Sequence, residues 1–230
     1  MCGWFIESTR LSCVYPRSLA VIRSPIGLRL NLDPKHSIKD QIREAAHLGA
    51  KGIVLDAIGD IAPDRLSDTG RRDLSHILRS IELKLIALSL PTRRGFDTFD
   101  DLDNRLERAE RAFALAYELG ARTVLIKAGE APPSDDIRRP IFVHALMELG
   151  KRADHRGIQL ALETGAGPVS GLAEVLTELH SPGLAASIDP ASLLRIGQDP
   201  VAAVVELKTH VVHAYAADAS SASGSMVANP

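Results

Sequence analysis

Seven short apolar runs recur along this 230-residue sequence at nearly even spacing, and that spacing restricts the fold more than any other feature. They lie at Leu28–Leu32, Gly52–Asp56, Lys84–Leu90, Thr123–Lys127, Ile158–Glu163, Leu184–Asp189 and His210–Ala216. Each is short, often β-branched and bounded by Gly, Pro or Asp, as strands are. Their centres sit about 31 residues apart, the length of one strand–helix–strand unit. Amphipathic stretches with helical spacing fill the intervals. Ile38, Ile42, Ala45, Ala46 and Leu48 form one apolar face ending at Gly49, and Leu102, Leu106, Ala109, Phe113, Ala116 and Leu119 form another ending at Gly120. Further helices are expected at about Ser67–Glu82, Arg138–His155, Ser170–His180 and Pro200–Lys208, with Ser37, Asp101 and Ser170 as N-caps. Strict alternation implies a parallel sheet with helices outside it. No Gly-x-Gly-x-x-Gly follows the first run, which disfavours an open dinucleotide-binding sheet and favours a (β/α)8 barrel.

Eight units starting near Leu28 need about 270 residues, against about 250 for a typical barrel. Here the sequence reaches Pro230 soon after the seventh run, and Ser220–Pro230 is rich in Ser, Ala and Gly. The expectation is therefore an incomplete barrel of about seven strands with exposed sheet edges. Residues 1–26 are expected to form an irregular leader, 27–219 the barrel and 220–230 a disordered tail. The 27 basic and 29 acidic residues nearly cancel, which argues against nucleic acid as a partner. No apolar run is long enough for a membrane span or a secretory signal, so the cytoplasm is the default location. Cys2 and Cys13 fit neither a disulfide framework nor a metal-ligand spacing. With 4% aromatic residues, the core must rest on Leu, Ile, Val and Ala.

Catalytic groups in such barrels gather at the C-terminal ends of the strands. Those ends are polar here: Asp33, Asp56, Lys127, Glu163, Asp189, His213 and Asp218. Side-chain alternation turns Leu160, Leu162, Ile188, Val212 and Ala214 toward the helices. Gln159, Ala161 and Glu163 then face the interior, as do Ala185, Ser187 and Asp189, and Val211, His213 and Tyr215. Two carboxylates and an imidazole would converge at the mouth from three successive strands. Such a cluster needs a countercharge. Mn²⁺, Mg²⁺ or Zn²⁺ would supply it, or else Lys127. Plainer roles stay open: Asp189 before Pro190 also suits a turn cap, His213 a satisfied interior histidine, and Asp33 and Asp56 loop starts.

At these residues the sequence resembles the xylose isomerase-like barrels, the sugar phosphate isomerases and epimerases. The resemblance runs from about Leu28 to Ala219. It is carried by Leu-Pro-Thr-Arg at 90–93, Asn-Arg-Leu-Glu-Arg-Ala at 104–109, Ala-Leu-Glu-Thr-Gly at 161–165, Ile-Asp-Pro-Ala-Ser-Leu-Leu at 188–194, Gly-Gln-Asp-Pro at 197–200 and His-Ala-Tyr-Ala-Ala-Asp-Ala at 213–219. It implies one divalent metal held by a Glu, an Asp, a His and an eighth-strand Glu. Glu163 and Asp189 match the first two. The usual His-x-His pattern reads His213-Ala-Tyr215 here, so His213 is the remaining candidate ligand, and the eighth-strand Glu has no counterpart. The implied chemistry is proton transfer through an enediolate, with Glu163 as the carboxylate base and Lys127, Tyr215 and Asp218 as substrate contacts. The expected partner is a small sugar or sugar phosphate, with Lys127, Arg93 and Arg94 available to an anionic group and a homodimer in keeping with such barrels. Two other readings compete: a degenerate or truncated barrel that binds a sugar-like ligand without turnover, and an endonuclease IV-like repair enzyme. Scarce strand-end histidines and the slightly acidic balance weigh against the repair enzyme.

Overall fold

The computed structural model describes residues 26–219. The expected leader (apart from Ile26) and tail lie outside the described residues. Seven strands alternate with helices: β1 (Gly27–Leu30), α1 (Ile38–His47), β2 (Gly52–Asp56), α2 (Asp68–Ser80), β3 (Lys84–Leu90), α3 (Leu102–Glu118), β4 (Thr123–Ile126), α4 (Arg139–His155), β5 (Gln159–Glu163), α5 (Val169–Leu179), β6 (Leu184–Ile188), α6 (Pro190–Arg195), α7 (Pro200–Leu207) and β7 (Val211–Ala214). All neighbouring pairs are parallel, and the order in the sheet is the order in the chain. The sheet curls into a half-barrel. β1 and β7 are its edges and do not hydrogen-bond to each other, yet Arg29 on β1 reaches Tyr215 just after β7.

Two apolar layers hold this shape. On the helix side, Leu55, Leu88, Val124, Ile126, Leu160 and Leu162 pack beneath Phe113, Leu115, Phe142 and Leu146 from α3 and α4, all essentially inaccessible to water. Burying one such Leu or Phe stabilises the fold by about 1.5–3 kcal/mol. The concave side holds a smaller cluster of Val54, Ala87, Leu125, Ala161 and Ala185, one residue from each of β2 to β6. Its three alanines let the strands curl closely around a narrow interior, and the polar residues lie one step further toward the strand ends.

Several local expectations give way to tertiary geometry. The short helix α6 was not legible as a periodic pattern, because six residues make fewer than two turns. Ser170 lies inside α5, whose N-cap is Pro168; Ser37 and Asp101 occupy cap positions without a capping side-chain bond. Asp101 instead adopts a left-handed conformation (φ 57°) and accepts a hydrogen bond from Asn104. The side chains that do cap are Ser67, Asp189 and Asp199. Val211 packs on the helix-side core rather than the interior. The β6–β7 register slips between Ala186 and Ser187, so Val211 pairs with outward-facing Ala186 and His213 with inward-facing Ser187.

Candidate active site

The site is built from single residues on successive strands. On β1, Leu28 and Leu30 pack toward the helices, which turns Arg29 inward. Its guanidinium donates to Asp56 Oδ1 at 2.8 Å, Ser89 Oγ at 3.1 Å and the Tyr215 hydroxyl at 2.9 Å. Asp56 closes β2, Ser89 lies near the end of β3, and Tyr215 follows β7. The Tyr215 hydroxyl in turn donates to Glu163 Oε1 at 2.8 Å, and Arg29 Nη1 lies 3.7 Å from the same oxygen. Glu163, the last residue of β5, keeps only 4% of its side chain exposed. The guanidinium also stacks 5.5 Å from the Tyr215 ring centre. His213 meets that ring edge-on at 4.7 Å and exchanges a hydrogen bond with Ser187 Oγ at 2.8 Å.

Protonation follows from these contacts. Burial alone would lower the Arg29 pKa, but Tyr215, Asp56 and Glu163 together hold it above its ordinary value. Burial, reinforced by the Glu163 carboxylate, pushes the Tyr215 phenol well above its ordinary value, so it stays a donor. Burial and then the Arg29 charge lower the His213 imidazole, which is therefore neutral near pH 7.

Of the sequence-derived candidates, Glu163, Tyr215 and His213 come together. Asp189 turns away: as N-cap of α6 it accepts from the Ser192 backbone N–H at 3.1 Å and the Ser192 hydroxyl at 2.6 Å. Its own N–H donates to Thr164 Oγ1 at 2.9 Å. Gly165 permits this close packing. It has φ +94°, and a Cβ there would collide with Ser192. Asp33 accepts from Lys35 and His36 within its own loop. Lys127 is exposed beyond β4, and exposed Asp218 accepts from the next backbone N–H.

The implied metal can be tested against these donors. Among the described residues, no three His, Cys, Asp or Glu side chains converge closely enough to hold an ion. Glu163 faces Tyr215 and Arg29, Asp189 faces α6 and His213 faces Ser187. That set does not fit a divalent cation.

Arg29 and Ser89 are the site residues that sequence reasoning passed over. The signal was present: Arg29 interrupts an alternating apolar strand between Leu28 and Leu30, and the rule used for β5 to β7 would have placed it inside. Beside the site, a cavity of about 370 Å³ opens at the ends of β1 and β2, lined by Asn31, Asp33, His36, Asp56 and Ile58 among others. Asp56 thus touches both this cavity and Arg29. A much smaller cleft of about 20 Å³ lies against Glu163 and Thr164.

The comparisons with known proteins agree with this architecture. No curated protein matches the sequence. Among solved structures, a xylose isomerase domain protein from Planctomyces limnophilus superposes with TM-score 0.75 at 16% identity, over 85% of this chain and 74% of its own. The 3-keto-D-glucoside 4-epimerase YcjR from E. coli gives 0.70 at 14%, over 84% and 79%. A xylose isomerase-like TIM barrel protein from Mycobacterium smegmatis, in complex with magnesium, gives 0.69 at 20%, over 85% and 75%. At such identities these structures share the fold alone. The family model described as "xylose isomerase-like TIM barrel" matches residues 42–229. The chain belongs to the xylose isomerase-like TIM barrel family.

Proposed function

We propose that this protein acts on a small sugar-like carbonyl compound at the mouth of the half-barrel, with Glu163 removing the proton from the carbon beside the carbonyl. The observation that supports this most is Glu163 itself. It is a buried carboxylate at a strand end, facing the interior, with one oxygen held by Tyr215. Held this way, its other oxygen is the one available to a ligand. A C–H bond next to a carbonyl breaks, its proton goes to Glu163 and its electron pair moves through the carbon skeleton onto the carbonyl oxygen. Returning the proton to the former carbonyl carbon, while the adjacent hydroxyl gives its proton to the former carbonyl oxygen, isomerises the compound. Epimerisation instead takes a proton from a second donor, such as water, on the opposite face of the same carbon. An epimerase among the structural neighbours is in keeping with that class of reaction. The cavity beside Asp56 has the volume of a monosaccharide and is joined to Glu163 through Asp56 and Arg29 rather than lined by it.

The same contacts also support a second reading, a barrel that binds such a compound without turnover. Asp189, the other strand-end acid expected at the mouth, is committed to α6. One experiment separates the two. A panel of ketoses and ketose phosphates is incubated with the protein in D₂O and followed by proton NMR. Loss of the signal from a carbon-bound hydrogen beside the carbonyl, abolished by Glu163→Gln, is the result expected for the enzyme. Ligand-induced shifts without exchange would identify the binding protein, and neither effect with any compound would refute both.

A further inference from the structure

We propose that this site works without a divalent metal, and that the Arg29 guanidinium is its built-in cation. The inference rests on the ligand reading above for what Arg29 acts upon, but not for the exclusion of metal. A metal site in such a mouth needs several free carboxylate or imidazole lone pairs directed at one point. The expected donors are held by specific partners, and Glu163 Oε2 is the carboxylate oxygen left open to a ligand. Glu163 Oε1 accepts from Tyr215 and lies 3.7 Å from Arg29 Nη1. Both Asp189 oxygens accept from Ser192, and His213 Nδ1 is engaged with Ser187. Asp56, at the rim, is paired with Arg29 at 2.8 Å. An incoming dication could take Glu163 Oε2, but its further carboxylate ligands would have to be freed from these hydrogen bonds, and it would sit within a few ångströms of a guanidinium that never loses its charge.

Arg29 also has the geometry to do what a cation would do for a carbonyl. It is fixed by three partners, Asp56 at the end of β2, Ser89 on β3 and Tyr215 just after β7, so its position costs little at the moment of reaction. Guanidinium and phenol donors lie side by side next to the carboxylate that would take the proton. A carbonyl oxygen set against Arg29 would thus gain charge beside a fixed positive group, while its neighbouring C–H faces Glu163.

The test measures metal binding directly and needs no substrate. Mn²⁺ is mixed with equimolar protein and the free ion is read by electron paramagnetic resonance, with thermal melts run in Mn²⁺ and in EDTA. The wild type is expected to leave the Mn²⁺ signal at its free amplitude and to melt at the same temperature in both solutions. Arg29→Met, which removes the charge from between Asp56 and Glu163, is expected to bind Mn²⁺ at least about tenfold more tightly than the wild type, a change of about 1.4 kcal/mol. Arg29→Lys should remain silent like the wild type. Mn²⁺ uptake or a Mn²⁺-dependent rise in melting temperature by the wild type, abolished in Glu163→Gln, would overturn the proposal. So would an Arg29→Met protein that folds and takes up no more Mn²⁺ than the wild type. If Arg29→Met fails to fold, the wild-type measurements decide alone. Should no sugar exchange its proton, the functional reading fails while the metal measurement still stands or falls separately. Where exchange is seen, it should persist in EDTA; loss on chelation with recovery in Mn²⁺ would also overturn the proposal.

Discussion

β5 and β6 are adjacent parallel strands, and each run ends in an acid, yet the two acids have opposite fates. Glu163 is the last residue of its strand, points inward and joins Tyr215 and Arg29. Asp189 follows the last residue of β6 and is drawn into capping α6, which begins at once with Pro190. The difference is one of distance to the next helix. After Glu163 the chain runs through Thr164–Pro168 before α5, leaving the carboxylate free of local backbone donors. After Asp189 there is no loop, and the open N–H groups of a helix start claim a nearby carboxylate whatever else it could bind. In this protein the start of α5 is covered instead by Gln198, whose side-chain oxygen accepts from the Val169 backbone N–H, so Glu163 is not called on to cap it.

That contrast can be broken or sharpened by four measurements. The largest expected effect is on exchange chemistry: Glu163→Gln should lower any proton exchange by about 10²–10⁴-fold, while Asp189→Asn changes it by less than about tenfold. Equal losses in both would erase the distinction. Next, Tyr215→Phe leaves Glu163 without its hydroxyl donor and removes an Arg29 partner; chemical denaturation should show a loss of about 1–2 kcal/mol. Asp189→Ala should then cost about 1 kcal/mol by the same method, the price of an N-cap, with ligand shifts in NMR unchanged. The smallest effect concerns pH. His213 has its pKa lowered in the folded protein by burial and by Arg29, from an ordinary value of 6.5. The unfolded chain therefore takes up the proton first, so the contribution of this residue is fully present above about pH 6.5 and declines as the pH falls below it. His213→Gln should lose less stability than the wild type between about pH 7 and 5, read from denaturation midpoints.

Much of the fold could be read from hydrophobic period alone. The runs at 52–56 and 84–90 coincide with β2 and β3, and the remaining five strands fall within a few residues of expectation. The helix face led by Phe113 is buried where the spacing placed it, as are Ile42 and Ala45 of the first helix, whereas Leu48, expected on that first face, lies just past the helix and is exposed. Helix starts were less legible. Ser37 occupies the right position without making the bond, because a cap depends on local backbone angles rather than on residue type alone. In the site, alternation placed Glu163, His213 and Tyr215 inside, and it would have placed Arg29 there had β1 been treated in the same way. It could not foresee the slipped register at Ala186–Ser187, which sends Val211 to the helix-side core, because a one-residue slip leaves no mark in composition.

What the sequence determined by itself was periodic: seven β-runs, the helices between them and the inward face of most strands, since burial imposes its rhythm directly on residue order. The tertiary structure alone decided which charges meet. Arg29 and Tyr215 are 186 residues apart and belong to opposite edges of the sheet, and only its curvature brings them to 2.9 Å. Whether Glu163 faces a metal or a guanidinium depends on that long-range closure, because ion pairing is settled by distance in space rather than by position in the chain.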